Sequence, residues 1–231
     1  RTLGENHPTI ADLHNKFGDV YKLINDHDRA LDYYSKSLEI RRNTLGENDI
    51  AVANSYHIVA TAYMGKCVYA QAKELYTKAV DIEKKNLGEC HLDVSRSYAN
   101  IGNACFKQGD YEKAMNYYEE SLKIKLQLLG ESHVDVAGLY DNIGVVHQEK
   151  GDDEKALEYH NKSLAIKLNI LGENHPDAVE SYDNMGAVYL TKAEYDKALK
   201  YQNKSRASRL TTKGESHPDV PTCYNNIGAV H

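Results

Sequence analysis

Apolar positions in this chain recur in two blocks with a fixed gap. Val179, Tyr182, Met185, Val188 and Tyr189 stand three and four residues apart, and after the polar run Thr191 to Glu194 a second set begins at Tyr195, Ala198, Leu199 and Gln202. That spacing places each set on one face of a helix, so 171–212 predicts two amphipathic helices joined by a short turn. The same pattern returns every 42 residues. An alanine column runs through Ala30, Ala72, Ala114, Ala156 and Ala198, and an aromatic column through Tyr56, Tyr98, Tyr140, Tyr182 and Tyr224. A fixed internal period of this length signals an array in which each repeat stacks on its neighbours. The expectation is one array over 1–231, with repeats at 3–44, 45–86, 87–128, 129–170 and 171–212 and a partial repeat at 213–231.

The joints between repeats carry a second regularity. "LGENHP" at Leu3 returns letter for letter at Leu171, with "LGENDI", "LGECHL", "LGESHV" and "KGESHP" at the intervening and following periods. Gly4, Gly46, Gly88, Gly130, Gly172 and Gly214 sit where a chain leaving a helix turns through positive φ, so they predict helix stops. Asn6, Asn48, Ser132, Asn174 and Ser216 are read as N-caps of the next helix, with Asp135, Asp177 and Asp219 as capping-box acids. Pro8, Pro176 and Pro218 fall in the first turn, where a missing N–H costs nothing. The histidines His7, His91, His133, His175 and His217 belong to this joint. Equivalent residues of successive repeats lie about two helix layers, roughly 20 Å, apart, too far to share a metal ion. No metal and no cofactor are expected.

Charge and cysteines narrow the class further. The chain has 34 acids and 28 bases, net −6, with a pI near 6.0, the wrong sign for tracking nucleic-acid phosphates. No apolar run approaches a membrane span, and the first residues carry no signal pattern, so a soluble cytoplasmic protein is expected. Cys67, Cys90, Cys105 and Cys223 fall at different phases of the repeat with no C-x-x-C spacing, and are read as reduced packing residues.

The columns inside each repeat suggest a family. In the first helix a Tyr precedes an Ile/Met–Gly pair by three residues, as at Ile101–Gly102, Ile143–Gly144, Met185–Gly186 and Ile227–Gly228, and Tyr21, Tyr63, Tyr189 or His147 follows; in the second helix Tyr34, Tyr76 and Tyr118 stand four residues after the alanine. This resembles the tetratricopeptide signature W-x2-L-G-x2-Y and A-x3-F with Tyr in place of Trp. The 42-residue period and the L-G-x-x-H-P joint are similar to the repeats of kinesin light chains. The resemblance implies an all-α, right-handed α-solenoid of antiparallel helix pairs. Independently of it, a glycine recurring in mid-helix, at Gly102, Gly144 and Gly186, implies that another helix backbone passes close by.

None of the usual catalytic spacings is present, and a non-enzymatic protein-binding scaffold is expected. The resemblance places a peptide groove along the first helices. Asn100, Asn142, Asn184 and Asn226 match the family's groove asparagines, whose amides can donate to and accept from a bound main chain; Lys16 and Ile58 interrupt this column. Around it, repeats one to three offer Lys16, Lys22, Arg96 and Lys107 against Asp12 and Asp19. Repeats four and five offer Asp141, Glu149, Glu180 and Asp183, with Lys150 and Lys192 one residue beyond. Met64, Phe106, Val145 and Leu190 form an apolar stripe. The acidic half departs from the preference of kinesin light chain grooves for acidic peptides flanking an aromatic, and predicts a ligand bearing Lys or Arg there. Two alternatives stand beside the scaffold. One is a regulatory array of a larger protein. The other is an array that self-associates end to end through the uncovered Tyr224, Ile227, Gly228 and Val230, with Gln202, Arg206 and Ser208 making the preceding layer more polar.

Overall fold

A computed structural model describes residues 7–213, and among these it contains ten α-helices and no strands. First helices of 16 residues alternate with second helices of 19. They are α1 (Pro8–Leu23), α2 (His27–Leu45), α3 (Ile50–Gly65), α4 (Tyr69–Leu87), α5 (Leu92–Lys107), α6 (Tyr111–Leu129), α7 (Val134–Glu149), α8 (Asp153–Leu171), α9 (Pro176–Thr191) and α10 (Tyr195–Lys213). The chain divides within α6 into two compact halves, Arg1–Ile124 and Lys125–His231. In the N-terminal half α1 packs on α2, α2 on α3, α3 on α4 and α4 on α5. In the C-terminal half α7 packs on α8, α8 on α9 and α9 on α10, and the first helices α7 and α9 also touch.

The joint glycines stop the second helices as expected: Gly46, Gly88, Gly130 and Gly172 adopt φ of 86°, 85°, 79° and 85°. The N-cap, however, lies one residue later than the sequence suggested. Asp49, His91, His133 and His175 hold that position rather than Asn48, Ser132 or Asn174, and His7 caps α1. Each histidine accepts, through Nδ1, the backbone N–H two residues on: Thr9, Asp93, Asp135 or Asp177, at 3.1–3.2 Å. An imidazole nitrogen with a free lone pair does here what an Asn or Asp oxygen usually does. Pro8 and Pro176 open their helices in the first turn. Asn6, Ser216, His217, Pro218, Asp219, Gly4 and Gly214 lie outside the described residues.

The turn inside each repeat also needs one residue at positive φ. Gly109 (79°) and Gly151 (77°) supply it in repeats three and four, whereas Asn25 (59°), Cys67 (60°) and Ala193 (56°) hold the position in the others. A Cβ in the left-handed region costs about 1–2 kcal/mol. Ala193→Gly and Cys67→Gly should therefore each raise stability by about 1 kcal/mol, and Gly151→Ala should lower it by a similar amount. Thermal unfolding of the three variants checks this. Cys67 and Cys90 are exposed rather than packed; Cys105 alone of the described cysteines is buried.

Inside the repeats the alanine column is sealed, at 0–1% exposure from Ala30 to Ala198. Two of the three mid-helix glycines have a different cause from the one expected. A Cβ on Gly102 would lie 2.7 Å from the Tyr118 ring, and one on Gly144 would lie 2.7 Å from the His160 ring. The close neighbour in these two repeats is a second-helix side chain sixteen residues on; at Gly186 the Gln202 side chain lies at 3.1 Å and the α10 backbone follows at 3.6 Å (Ala198 O) and 3.8 Å (Gln202 N), the close backbone that was expected. The buried tyrosine hydroxyls find partners: Tyr34 donates to Asp19 and Tyr118 to Asn103, both at 2.7 Å.

Candidate functional site

Five charged residues stand at one phase of the second helices, Arg41, Glu83, Lys125, Lys167 and Arg209, where the surrounding pattern is apolar. Most clip three helices together. Arg41 on α2 donates to Asp12 of α1 at 2.7 Å and to Ser55 of α3 at 2.8 Å. Glu83 on α4, 1% exposed, accepts from His57 of α3 at 2.9 Å and from Ser97 of α5. Lys167 on α8 reaches Asp141 of α7 at 2.5 Å and Ser181 of α9 at 3.0 Å, while Ser163 and His160 also bond Asp141. Arg209 on α10 pairs with Asp183 of α9. Among the described residues Lys125 pairs with Asp135 alone, 3.8 Å away and more than half exposed.

Protonation follows from these contacts. Burial pushes the Asp141 carboxyl up, but the hydrogen bond from His160 and the charge and hydrogen bond of Lys167 outweigh it, and the group sits below its ordinary 3.8. A carboxylate only accepts, so the His160 Nδ1 carries the proton, leaving a buried Nε2 with no partner. For Lys125 burial dominates over Asp135, and its ammonium is held below the ordinary 10.5.

This geometry reassigns part of the expected groove. Asp141 was expected to face a ligand; it is buried, and its charge is neutralised by Lys167. Asp183 is likewise held by Arg209 and Ser205, Asp12 by Arg41, and Asp19 by Tyr34. Arg96 is half exposed and pairs with Asp93 at 2.8 Å. Lys107 is exposed, with its ammonium 5.7 Å from the Phe106 ring centre, and Phe106 in turn packs on Tyr111. Leu190 is half-buried, and Glu180 is exposed without an ion pair among the described residues. Asn100, Asn142 and Asn184 each occupy the ninth position of a 16-residue first helix. All three are half-buried, and their amides have no hydrogen-bond partner among the described residues. Asn226 lies outside the described residues, as do Tyr224, Ile227, Gly228 and Val230 of the expected self-association surface.

The charged column was missed in the sequence, although its signal was present: a charge repeated at 42 residues within an apolar stripe is a buried charge. It also brings together a serine, a histidine and an acid. Ser97 Oγ lies 2.8 Å from His57 Nε2, but Glu83 contacts the same nitrogen at 2.9 Å, and Nδ1 has no partner. A hydrolytic relay needs the acid on the nitrogen opposite the serine, to hold the tautomer that accepts the serine proton. Here Nε2–H donates to Glu83 and Ser97 donates to the same carboxylate, so the cluster is a structural clasp. Among the described residues no helix is long and apolar enough to cross a membrane.

Two-helix repeats with a small-residue seam between them, stacked through shared polar clasps, define a helical repeat protein. The chain belongs to the tetratricopeptide repeat family, which it matches over residues 1–43, 51–127 and 135–211. Repeats of this family serve generally as protein–protein interaction scaffolds. Similar solved structures include BtubC (BKLC) from P. vanneervenii, at 22% identity and a TM-score of 0.75 over 88% of this chain and 82% of that one. The nearly identical kinesin light chain-type repeats from Podosopora anserina share 21% identity at a TM-score of 0.74, over 90% and 98%. RapI in its apo form shares 15% at 0.64, over 96% and 82%. At these identities the likeness is one of fold, and it agrees with the kinesin light chain resemblance of the 42-residue period. No curated protein is similar enough in sequence to match.

Proposed function

We propose that the chain is a non-enzymatic, cytoplasmic adaptor that holds an extended peptide of a protein partner along its first helices. The observation that carries this is the asparagine column. Three amides at one helical position are half-buried yet unused by the fold, while the residues beside them are consumed in packing and clasps. A half-desolvated amide without a partner has a donor and an acceptor to offer an extended backbone of any sequence. In the C-terminal half Asn142 and Asn184 lie on touching helices, α7 and α9. The preference for a basic ligand there rests on Glu180, because Asp141 and Asp183 are already neutralised internally; it should weaken as salt rises.

The test is a peptide selected on the intact protein from a random display library. Asn142→Ala with Asn184→Ala should weaken its binding by about 1–3 kcal/mol, roughly 5- to 150-fold, and leave the melting temperature unchanged. A double variant that melts early and binds normally would make the column structural.

A further inference from the structure

Helix α1 packs on α2 and, among the described residues, leaves an apolar face open. Ile10, Leu13, Phe17, Val20 and Ile24 stand three, four, three and four residues apart. That is the spacing of a seam shared by two helices crossing at a shallow angle. Leu13, Phe17, Val20 and Ile24 are 44–64% exposed. At the phases of Leu13, Phe17 and Val20 every later first helix is at most 4% exposed, as at Ser97, Ile101 and Ala104. The remaining exposed large apolar residues, such as Leu92 and Tyr195, stand one to a helix, so α1 alone of the described helices presents a continuous apolar stripe.

The residues of the stripe show what it is built to meet. Where a preceding second helix covers a first helix, the covered face carries polar groups for it. Ser55 accepts from Arg41 at 2.8 Å, Ser97 donates to Glu83, and Ser181 accepts from Lys167 at 3.0 Å. The last phase of the seam holds Lys66, Gln108, Lys150 or Lys192. In α1 the serine is replaced by Leu13 and the last residue by Ile24, so all five phases are apolar. Inside the array only Leu139 replaces that serine, in the repeat that follows the weakly paired Lys125. A clasp charge laid on Leu13 would lose water and gain no partner, at a cost of several kcal/mol. The stripe therefore suits an apolar surface of its own spacing better than another clasp-bearing helix.

We propose that two copies of this chain dimerise head to head through α1, with the two helices antiparallel about a two-fold axis. One register sets Leu13 against Ile24 of the second copy and Phe17 against its Val20. The two-fold repeats both layers, so all four exposed residues of the seam are covered. In the same register Lys16, exposed and without an ion pair among the described residues, comes within one turn of Asp19 of the second copy, and the charges beside the seam match. Such a contact is isologous and closes at two subunits, unlike end-to-end stacking, which propagates. The seam contains none of the asparagines and leaves their groove free. A single helix pair buries less than the roughly 1,600 Å² of a standard interface, so the dimer should form at about 10–500 μM.

The experiment is sedimentation equilibrium of the intact chain between about 10 μM and 1 mM. The mass should rise from one chain to two and no further. Two single variants test the register, at positions away from Phe17, which also packs on Tyr33. Ile24→Lys installs the residue used at that phase by Lys66, Lys150 and Lys192, and Leu13 is half exposed, so Ile24→Lys and Leu13→Glu should both melt with the native chain. Alone, each variant brings two like charges into its own dimer and should weaken it by about 10-fold or more. Mixed in equal amounts they place one Glu against one Lys and keep one Leu–Ile layer, so association should return to within about 3-fold of native. The proposal is overturned if the native chain stays monomeric over the whole range, which would leave the seam to a different protein. It is equally overturned if the mass grows beyond two chains, if either variant dimerises as well as the native chain, or if the mixture associates no better than its components.

Discussion

Lys167→Met is expected to destabilise the C-terminal half by about 3–5 kcal/mol. The reason is what it leaves behind. Asp141 is 8% exposed, and without Lys167 its carboxylate keeps only Ser163, Ser181 and His160 as donors among the described residues. Removing both charges avoids that cost, so Asp141→Leu with Lys167→Met should recover most of the loss. Lys125→Met is the contrast at the same phase of the preceding repeat. Its partner Asp135 is more than half exposed and returns to water, and burial already disfavours the Lys125 ammonium, so this change should be neutral or stabilising. Denaturant unfolding of the four proteins measures the order directly.

The same pair sets an acid limit. The Asp141 carboxyl titrates below 3.8 in the folded protein and at about the ordinary value when unfolded. Its contribution to stability is thus fully present above that ordinary value and is lost as pH falls through the lower, folded one. In Asp141→Leu/Lys167→Met the acid limb of the stability curve should flatten over that window. An unchanged limb would place the proton uptake elsewhere.

Two glycine-to-alanine changes six residues apart on α7 are expected to move stability in opposite directions. At Gly138 a Cβ meets nothing within 4 Å, so alanine should gain up to about 1 kcal/mol from helix propensity. At Gly144 the new Cβ would stand 2.7 Å from His160 Cε1, 2.9 Å from Nδ1 and 2.9 Å from Nε2. His160 is fully buried, and its Nδ1 is bonded to Asp141, so it cannot retreat without loosening the clasp. Overpacking of this kind costs about 1–3 kcal/mol, which should exceed the propensity gain. Calorimetry of the two single variants separates a packing role for Gly144 from a merely permissive one; equal melting temperatures would dismiss it.

Much of this protein was legible in its letters because the relevant physics is local and repeated. Apolar spacing of three and four residues, an alanine every 42 residues and a glycine at each second-helix stop specify helix pairs, their seam and their joints without any knowledge of neighbours. The placement of the asparagine column in mid-helix was legible for the same reason. What tertiary structure decided turns on differences of a single residue. Adjacent helical residues point about 100° apart, so Asp141 and Asn142 share every local signal; only the approach of α8 shows that the first turns inward to Lys167 and the second stays free. Whether Asn174 or His175 caps α9 depends on which of the two adopts extended backbone and can reach back to an orphan N–H, a matter of φ and ψ that both residue types permit. Leu75 and Tyr117 are equivalent in an apolar pattern, yet Tyr117 packs its ring on Tyr98 whereas Leu75 borders a cleft, because a pattern records that a side chain is apolar and only packing records how far it reaches.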